Sequence, residues 1–257
     1  MIPSAEALES YDSVPEMINL DITADTVELV AKKLAGAAGP GGTDAIALQH
    51  WLLRFGIESL KLREALAQLT RWMCNGSPPW AGYRAIVSSR LVALDKCPGV
   101  RPLGVGEVWR RAVAKCVLSV AGHDAKTECG KDQLCAGLEA GIDGAIHAMR
   151  RLWEENEGDD EWGFLLVDAM NAFNEINRTV ALWTVMHLWP SGARFTFNCY
   201  KYHATLLVRS KNGDDGIFIY SKEGWTQGDP IAMIIYGIGM LPVTKSIIAK
   251  VPDCHQP

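Results

Sequence analysis

No two of the seven cysteines form a Cys-x-x-Cys pair; they stand at 74, 97, 116, 129, 135, 199 and 254. An odd, scattered set argues against a disulfide framework and against a structural zinc site, and it predicts an intracellular, reducing compartment. The N-terminus lacks both a basic stretch and an apolar one, so no secretion signal is expected. The longest apolar run, residues 231–243, is shorter than the roughly 20 residues of a membrane span, and no membrane partner is expected. Internal repeats are absent too, which excludes solenoids and arrays. The six histidines (50, 123, 147, 187, 203, 255) show no triad and no metal-ligand spacing, which leaves a small-molecule phosphate enzyme without a general base.

What is present is enough apolar material for a sizeable core: 257 residues, 48% hydrophobic and 21% charged, fitting one large domain or two small ones. The net charge of −5 by itself disfavours a nucleic-acid partner. The average conceals segregation. Residues 1–30 hold seven acids and no base, and residues 154–161 hold six acids. Residues 81–131 instead carry nine bases against four acids, a local excess of five that a polyanion can use.

The pattern predicts helices over 24–35, 43–55 and 57–73, a strand over 85–94, a Pro-Gly turn at 98–99, and helices near 105–121 and 138–155. Residues 164–167 read as a short buried strand, 171–189 as helical, 205–209 and 216–221 as a hairpin around Asn212-Gly213-Asp214-Asp215, and 230 onward as a buried helix. The expected class is therefore α/β in the α+β sense, helix-rich with a small, mostly antiparallel sheet.

Four places can carry chemistry. The loop from Gly36 to Asp44 is glycine-rich, but a phosphate loop needs Gly-Lys-Ser/Thr where this chain has Gly42-Thr43-Asp44; a linker capped by Thr43 or Asp44 is the stronger reading. Asp168 follows the apolar run Phe164 to Val167, where a carboxylate at the end of a rigid strand suits a hard cation such as Mg2+, and where an N-cap role is equally open. The turn Gly224-Trp225-Thr226-Gln227-Gly228-Asp229-Pro230 opens the last apolar helix, with Asp229 as its simplest cap. Lys96 and Arg101 bracket Cys97-Pro98-Gly99-Val100; two fixed cations can hold a triphosphate, and a solvated turn is the plain alternative.

Taken in order, these segments resemble a reverse transcriptase, the RNA-directed DNA polymerase of eukaryotic retroelements (retrotransposons). Val100-Arg101-Pro102-Leu103-Gly104-Val105-Gly106-Glu107-Val108-Trp109-Arg110-Arg111 is similar to the family's fingers motif. Gln133-Leu134-Cys135-Ala136-Gly137, followed by His147-Ala148-Met149-Arg150, resembles the next block. Phe164 to Arg178 resembles the palm block with the first metal-binding aspartate, and Gly224 to Pro230 the block whose Gln-Gly shapes the nucleotide pocket. The resemblance runs from about residue 30 to the last residue. It implies an acidic N-terminal segment (1–30), a fingers-like region (31–160) and a partial palm (161–257).

The activity implied is nucleotidyl transfer by a two-metal mechanism, copying an RNA template from dNTPs on an RNA–DNA duplex. Asp168 would ligate magnesium with help from the Ala169 carbonyl. Lys96 and Arg101 would neutralise the β- and γ-phosphates. Gln227 and Gly228 would shape the pocket, and Phe173 would stack under the deoxyribose, its plain alternative being a core phenylalanine. The family's paired aspartates, thumb and primer grip have no counterpart, and Asp214-Asp215 precedes Gln227 in a turn that its own composition explains. The expectation is thus a truncated, catalytically inactive domain, or alternatively a non-catalytic nucleic-acid-binding or interaction module. Self-association is expected through an exposed apolar face of the C-terminal helix, at Ile231, Met233, Ile234, Ile235, Ile238 and Met240.

Overall fold

The computed structural model describes residues 11, 13–134, 136, 138–209 and 216–250. The hairpin tip at 212–215, Cys135, Gly137, Cys254, His255 and the first ten residues lie outside them.

Short polar caps start the first helices. Thr23 and Thr26 exchange side-chain-to-backbone hydrogen bonds of 3.3 and 3.5 Å in a capping box ahead of α1 (Ala24–Lys32). Asp44 accepts from the Ala47 N–H at 2.8 Å ahead of α2 (Ala45–Leu53). Then come α3 (Gly56–Asn75) and α4 (Trp80–Ile86). The strands β1 (Ser89–Asp95) and β2 (Val100–Gly106) lead into α5 (Val108–Cys129), followed by α6 (Gly141–Glu155). After an extended stretch come α7 (Ala172–Glu175), α8 (Arg178–Leu188), α9 (Pro190–Tyr200), β3 (Ala204–Val208), β4 (Ile217–Ser221) and α10 (Ala232–Lys250).

α5 is the centre of the molecule. Eleven of its residues are buried, among them Ala112, Ala114, Ala121, Gly122 and Ala125, whose small side chains let neighbours approach from several directions. Helices α1, α2, α3, α9 and α10 all pack on it. A single core runs from Leu20 to Ile238 and so joins the regions on both sides of residue 160. The four-stranded sheet has the order β2-β1-β3-β4, with antiparallel outer pairs and a short parallel contact of Ser89 and Arg90 with Leu206 and Leu207. The α+β class with a small, mostly antiparallel sheet is what the structure shows.

Four expectations need correction. Residues 164–167 are not a buried strand paired with the hairpin: they are irregular, pair with no strand, and leave Leu165, Leu166 and Val167 77–83% exposed. An apolar run becomes a strand only where a neighbour supplies ladder hydrogen bonds and a covering layer, and here β1, not this run, adjoins β3. Ala85 and Ile86 belong to α4 instead of a strand, because Pro79 opens a turn of helix there. The 171–189 helix is broken at Ile176 and Asn177, where Asn177 caps α8 by accepting from Val180 N–H at 3.1 Å, and α9 was not foreseen. Finally, Ile231, Ile234, Ile235 and Ile238 are buried, because α8 and α5 cover the face of α10 that carries them. In length and mean hydropathy (1.6) α10 also fits a membrane span; burial of eight of its residues in the core accounts for the same composition.

Burial also sets the chemistry of the thiols. It pushes Cys116 up to about 12 and, with Glu128 adding, Cys129 up to about 11, while Cys74 and Cys199 move in the same direction. Since the thiolate is the reactive form, alkylation of the native protein at pH 8 is expected at exposed Cys97 and not at these four, which react only after unfolding. Peptide mapping after brief iodoacetamide treatment reads this directly, and native labelling of Cys116 or Cys199 would contradict the packing described.

Candidate functional site

The β1–β2 ribbon carries two cations to its tip. The Lys96 N–H donates to the Gly99 carbonyl at 3.0 Å, closing the turn, so that Lys96 and Arg101 stand exposed on either side of it. The Gln-Gly turn docks on the same ribbon. The Gly104 N–H donates to the Gln227 carbonyl at 2.8 Å, and Gly228 sits at φ +103°, where a Cβ would come within 2.6 Å of the Gly104 oxygen. Only glycine fits both that backbone geometry and that approach.

The segment bearing Asp168 is held by the other end of this turn. Asn171, at φ 53°, reverses the chain and occupies the N-cap position of α7 without a side-chain capping bond. The Trp225 N–H then donates to the Phe173 carbonyl at 2.6 Å, and the Gly224 N–H to the Ile176 carbonyl at 3.0 Å. Gly224 takes φ +60°, and a Cβ there would collide with the Phe173 carbonyl. Arg178 fastens the arrangement from behind. Its guanidinium donates to the carbonyls of Gly224 (2.9 Å), Ser221 (3.0 Å), Glu223 (2.8 Å) and Tyr202 (3.3 Å), and to the Ser221 hydroxyl (2.9 Å).

The outcome is one cavity of about 520 Å3, lined by Lys96, Arg101, Asp168, Ala169, Phe173 and Gln227 among others. Six of the seven residues singled out from the sequence meet there; Gly228 lies behind, against β2. Asp168 is exposed and is not a helix cap, that position being Asn171. Phe173 is half-buried, and its ring also stacks on Tyr236 at 4.8 Å, so it serves the core as well as the cavity wall. Two cations against one carboxylate suit an anionic ligand rich in acceptor oxygens.

Beneath the turn lies an ion pair with no sequence signal. Asp229 accepts from both the Arg110 guanidinium and the Tyr200 hydroxyl, with the Arg110 and Asp229 side chains 6% and 1% exposed. Burial opposes the Arg110 charge, and the adjoining carboxylate more than offsets it, holding the guanidinium well above its ordinary range. Burial and the same carboxylate push the Tyr200 phenol upward and keep its proton on oxygen. Asp229 also accepts from the Ile231 N–H at 3.3 Å, so its capping role is real but secondary.

This pairing corrects the expected basic face. Arg110 is buried and cannot meet a polyanion. Arg111 donates to the carbonyls of Ala35 (3.1 Å) and Ala37 (2.5 Å), and Arg90 to that of Ala38 (3.3 Å). Glu107 accepts from the Gly41 N–H at 2.5 Å. These contacts pin the glycine-rich loop as a strap, in line with the capped-linker reading. Arg84, Lys96, Arg101 and Lys126 are exposed.

Among the described residues, Asp168 is the one carboxylate lining the cavity, and no three His, Cys, Asp or Glu side chains converge anywhere. Such a donor set fits a single Mg2+ brought in by phosphate oxygens, which needs only one or two carboxylates, and does not fit two ions held by protein.

Removing the Asp229 carboxylate leaves Arg110 buried without its counter-charge. Asp229→Ala is expected to lower stability by about 3–5 kcal/mol, read as a fall in the urea midpoint with an unchanged slope. A change under about 1 kcal/mol would mean that the pair does not carry this region.

Compared with known proteins, the sequence matches no family model and no curated protein.

Proposed function

We propose that this chain is a reverse-transcriptase-like domain whose cavity binds the triphosphate of a nucleotide. The observation that supports this most is the convergence on one cavity of residues drawn from three separate sequence blocks: Lys96 and Arg101, Asp168 to Phe173, and Gln227. On this reading Lys96 and Arg101 neutralise the phosphates from the ribbon side. Asp168 and the Ala169 carbonyl face a phosphate-borne Mg2+, and Gln227 and Phe173 border the sugar. Binding is what the cavity residues supply on their own; with one carboxylate at hand, RNA-templated DNA synthesis is not part of the proposal. A polymerase-derived, non-catalytic module is the second reading, favoured by the same single carboxylate. An RNA–DNA duplex partner remains part of both, through exposed bases of the segment such as Arg84, Lys96 and Arg101, with weak and steeply salt-dependent affinity.

Titrating a fluorescent dNTP with Mg2+ tests the site. The double change Lys96→Ala and Arg101→Ala is expected to weaken binding at least tenfold, since each removes a charge-assisted contact, while Lys61→Ala on α3 leaves it unchanged. Unchanged affinity in the double variant would remove the nucleotide reading.

The metal contribution separates in a second titration. Wild type is expected to bind several-fold less tightly in EDTA, and Asp168→Asn to match that lower affinity with or without Mg2+. A full Mg2+ effect in Asp168→Asn would release Asp168 from the role proposed.

A further inference from the structure

The sheet ends on β4, and among the described residues no strand pairs with that edge. Ile217, Phe218, Ile219 and Tyr220 are 66%, 60%, 44% and 53% exposed, so both faces of the strand are open as well as its free backbone groups. Edge strands are ordinarily blunted by charge, proline or a bulge. β4 has none of these: its sequence is Ile-Phe-Ile-Tyr-Ser, and it runs in unbroken register with β3 from Ile217↔Val208 to Ser221↔Ala204.

We propose that β4 is a self-association edge on which two copies of this chain pair antiparallel, joining their sheets into one of eight strands. The occupant is a second copy because the edge is self-complementary. An uncharged strand carries no electrostatic pattern to select a different chain, whereas antiparallel pairing of identical strands satisfies the outward N–H and C=O groups of both copies reciprocally. The register follows from the length of the strand. A two-fold axis at Ile219 sets Ile219 opposite Ile219 of the second copy, and Phe218 opposite Tyr220 twice over, an aromatic cross-strand pair on one face. Any slip loses backbone pairs and separates those rings. The area sets the strength: four half-exposed side chains offer on the order of 400 Å2, about half of what each partner gives to a standard interface, so the dimer is weak and transient. Self-association expected at α10 is thereby relocated to the sheet, and this proposal stands whether or not the cavity binds a nucleotide.

Sedimentation velocity on the full chain between about 5 and 500 µM is the test, that being the range of a small, transient interface. A monomer–dimer equilibrium is expected. Ile219→Lys places like charges across the axis and is expected to weaken it at least tenfold, as is Ile219→Glu. An equimolar mixture of the two is expected to restore association to near the wild-type level, which happens only if residue 219 faces its own copy. Leu166→Lys, in the other exposed apolar run, is expected to leave the dimer intact. Amide exchange gives a second readout on unmodified protein, with β4 protection rising as concentration rises. A monomer throughout the range overturns the proposal. So do a dimer unaffected by Ile219→Lys, a mixture that fails to recover, a dimer lost in Leu166→Lys, or β4 exchange independent of concentration.

Discussion

One buried ion pair sets the position of most of what surrounds it. Arg110 lies on the helix that the other helices pack around, and Asp229 lies in the turn that carries Gln227 toward the cavity. Tyr200, at the end of α9, completes the contact. Taking both charges from water costs several kcal/mol per ion, and the cost is met only when the geometry is good and the remaining lone pairs are bonded. Any displacement of the turn would leave a bare charge in the core. The interaction therefore adds less to net stability than to uniqueness: it permits one placement of the Gln-Gly turn relative to α5 and penalises the rest.

The cavity is assembled mostly by backbone. Gly104 to Gln227, Phe173 to Trp225 and Ile176 to Gly224 are main-chain hydrogen bonds between segments far apart in sequence. Side chains that face the opening hang from this frame, so the segments bearing Lys96 and Asp168 meet at one cavity. The frame is closely packed where Gly224 and Gly228 allow backbone to approach backbone, and it gives no strand partner to the extended run 164–167.

How much of this could be read in the sequence depended on whether a feature was local. The cap of α2 and the hairpin of β3 and β4 rest on short motifs with fixed offsets and could be read there, whereas the grouping of Lys96, Arg101, Asp168, Phe173 and Gln227 was legible only through the resemblance of separate blocks to one family. The Arg110–Asp229 pair joins residues 119 apart, and nothing near Arg110 distinguishes a buried guanidinium from a surface one. The basic segment consequently looked more cationic than its surface is. Residues 164–167 failed for the converse reason: an apolar run states a preference for burial, but only neighbouring strands can grant it. α10 misled by its composition, since an apolar helix looks alike whether its face is open or covered by α5 and α8.

Arg178 shows a different property of the design. Four of its five side-chain hydrogen bonds end on main-chain carbonyls, at Tyr202, Ser221, Glu223 and Gly224. A carbonyl is present whatever residue occupies the position, so these four bonds by themselves do not depend on the side chains at their acceptor ends. The carbonyl contacts at 202 and 223 survive a change of side chain there, although the Glu223 carboxylate also accepts from the Arg178 N–H at 3.0 Å and Tyr202 packs on Trp80, whereas a change at 178 alters every guanidinium contact together. The consequence is an uneven dependence: one side chain at 178 carries several main-chain anchors at once, while each anchor taken singly outlasts a change of the side chain that bears it.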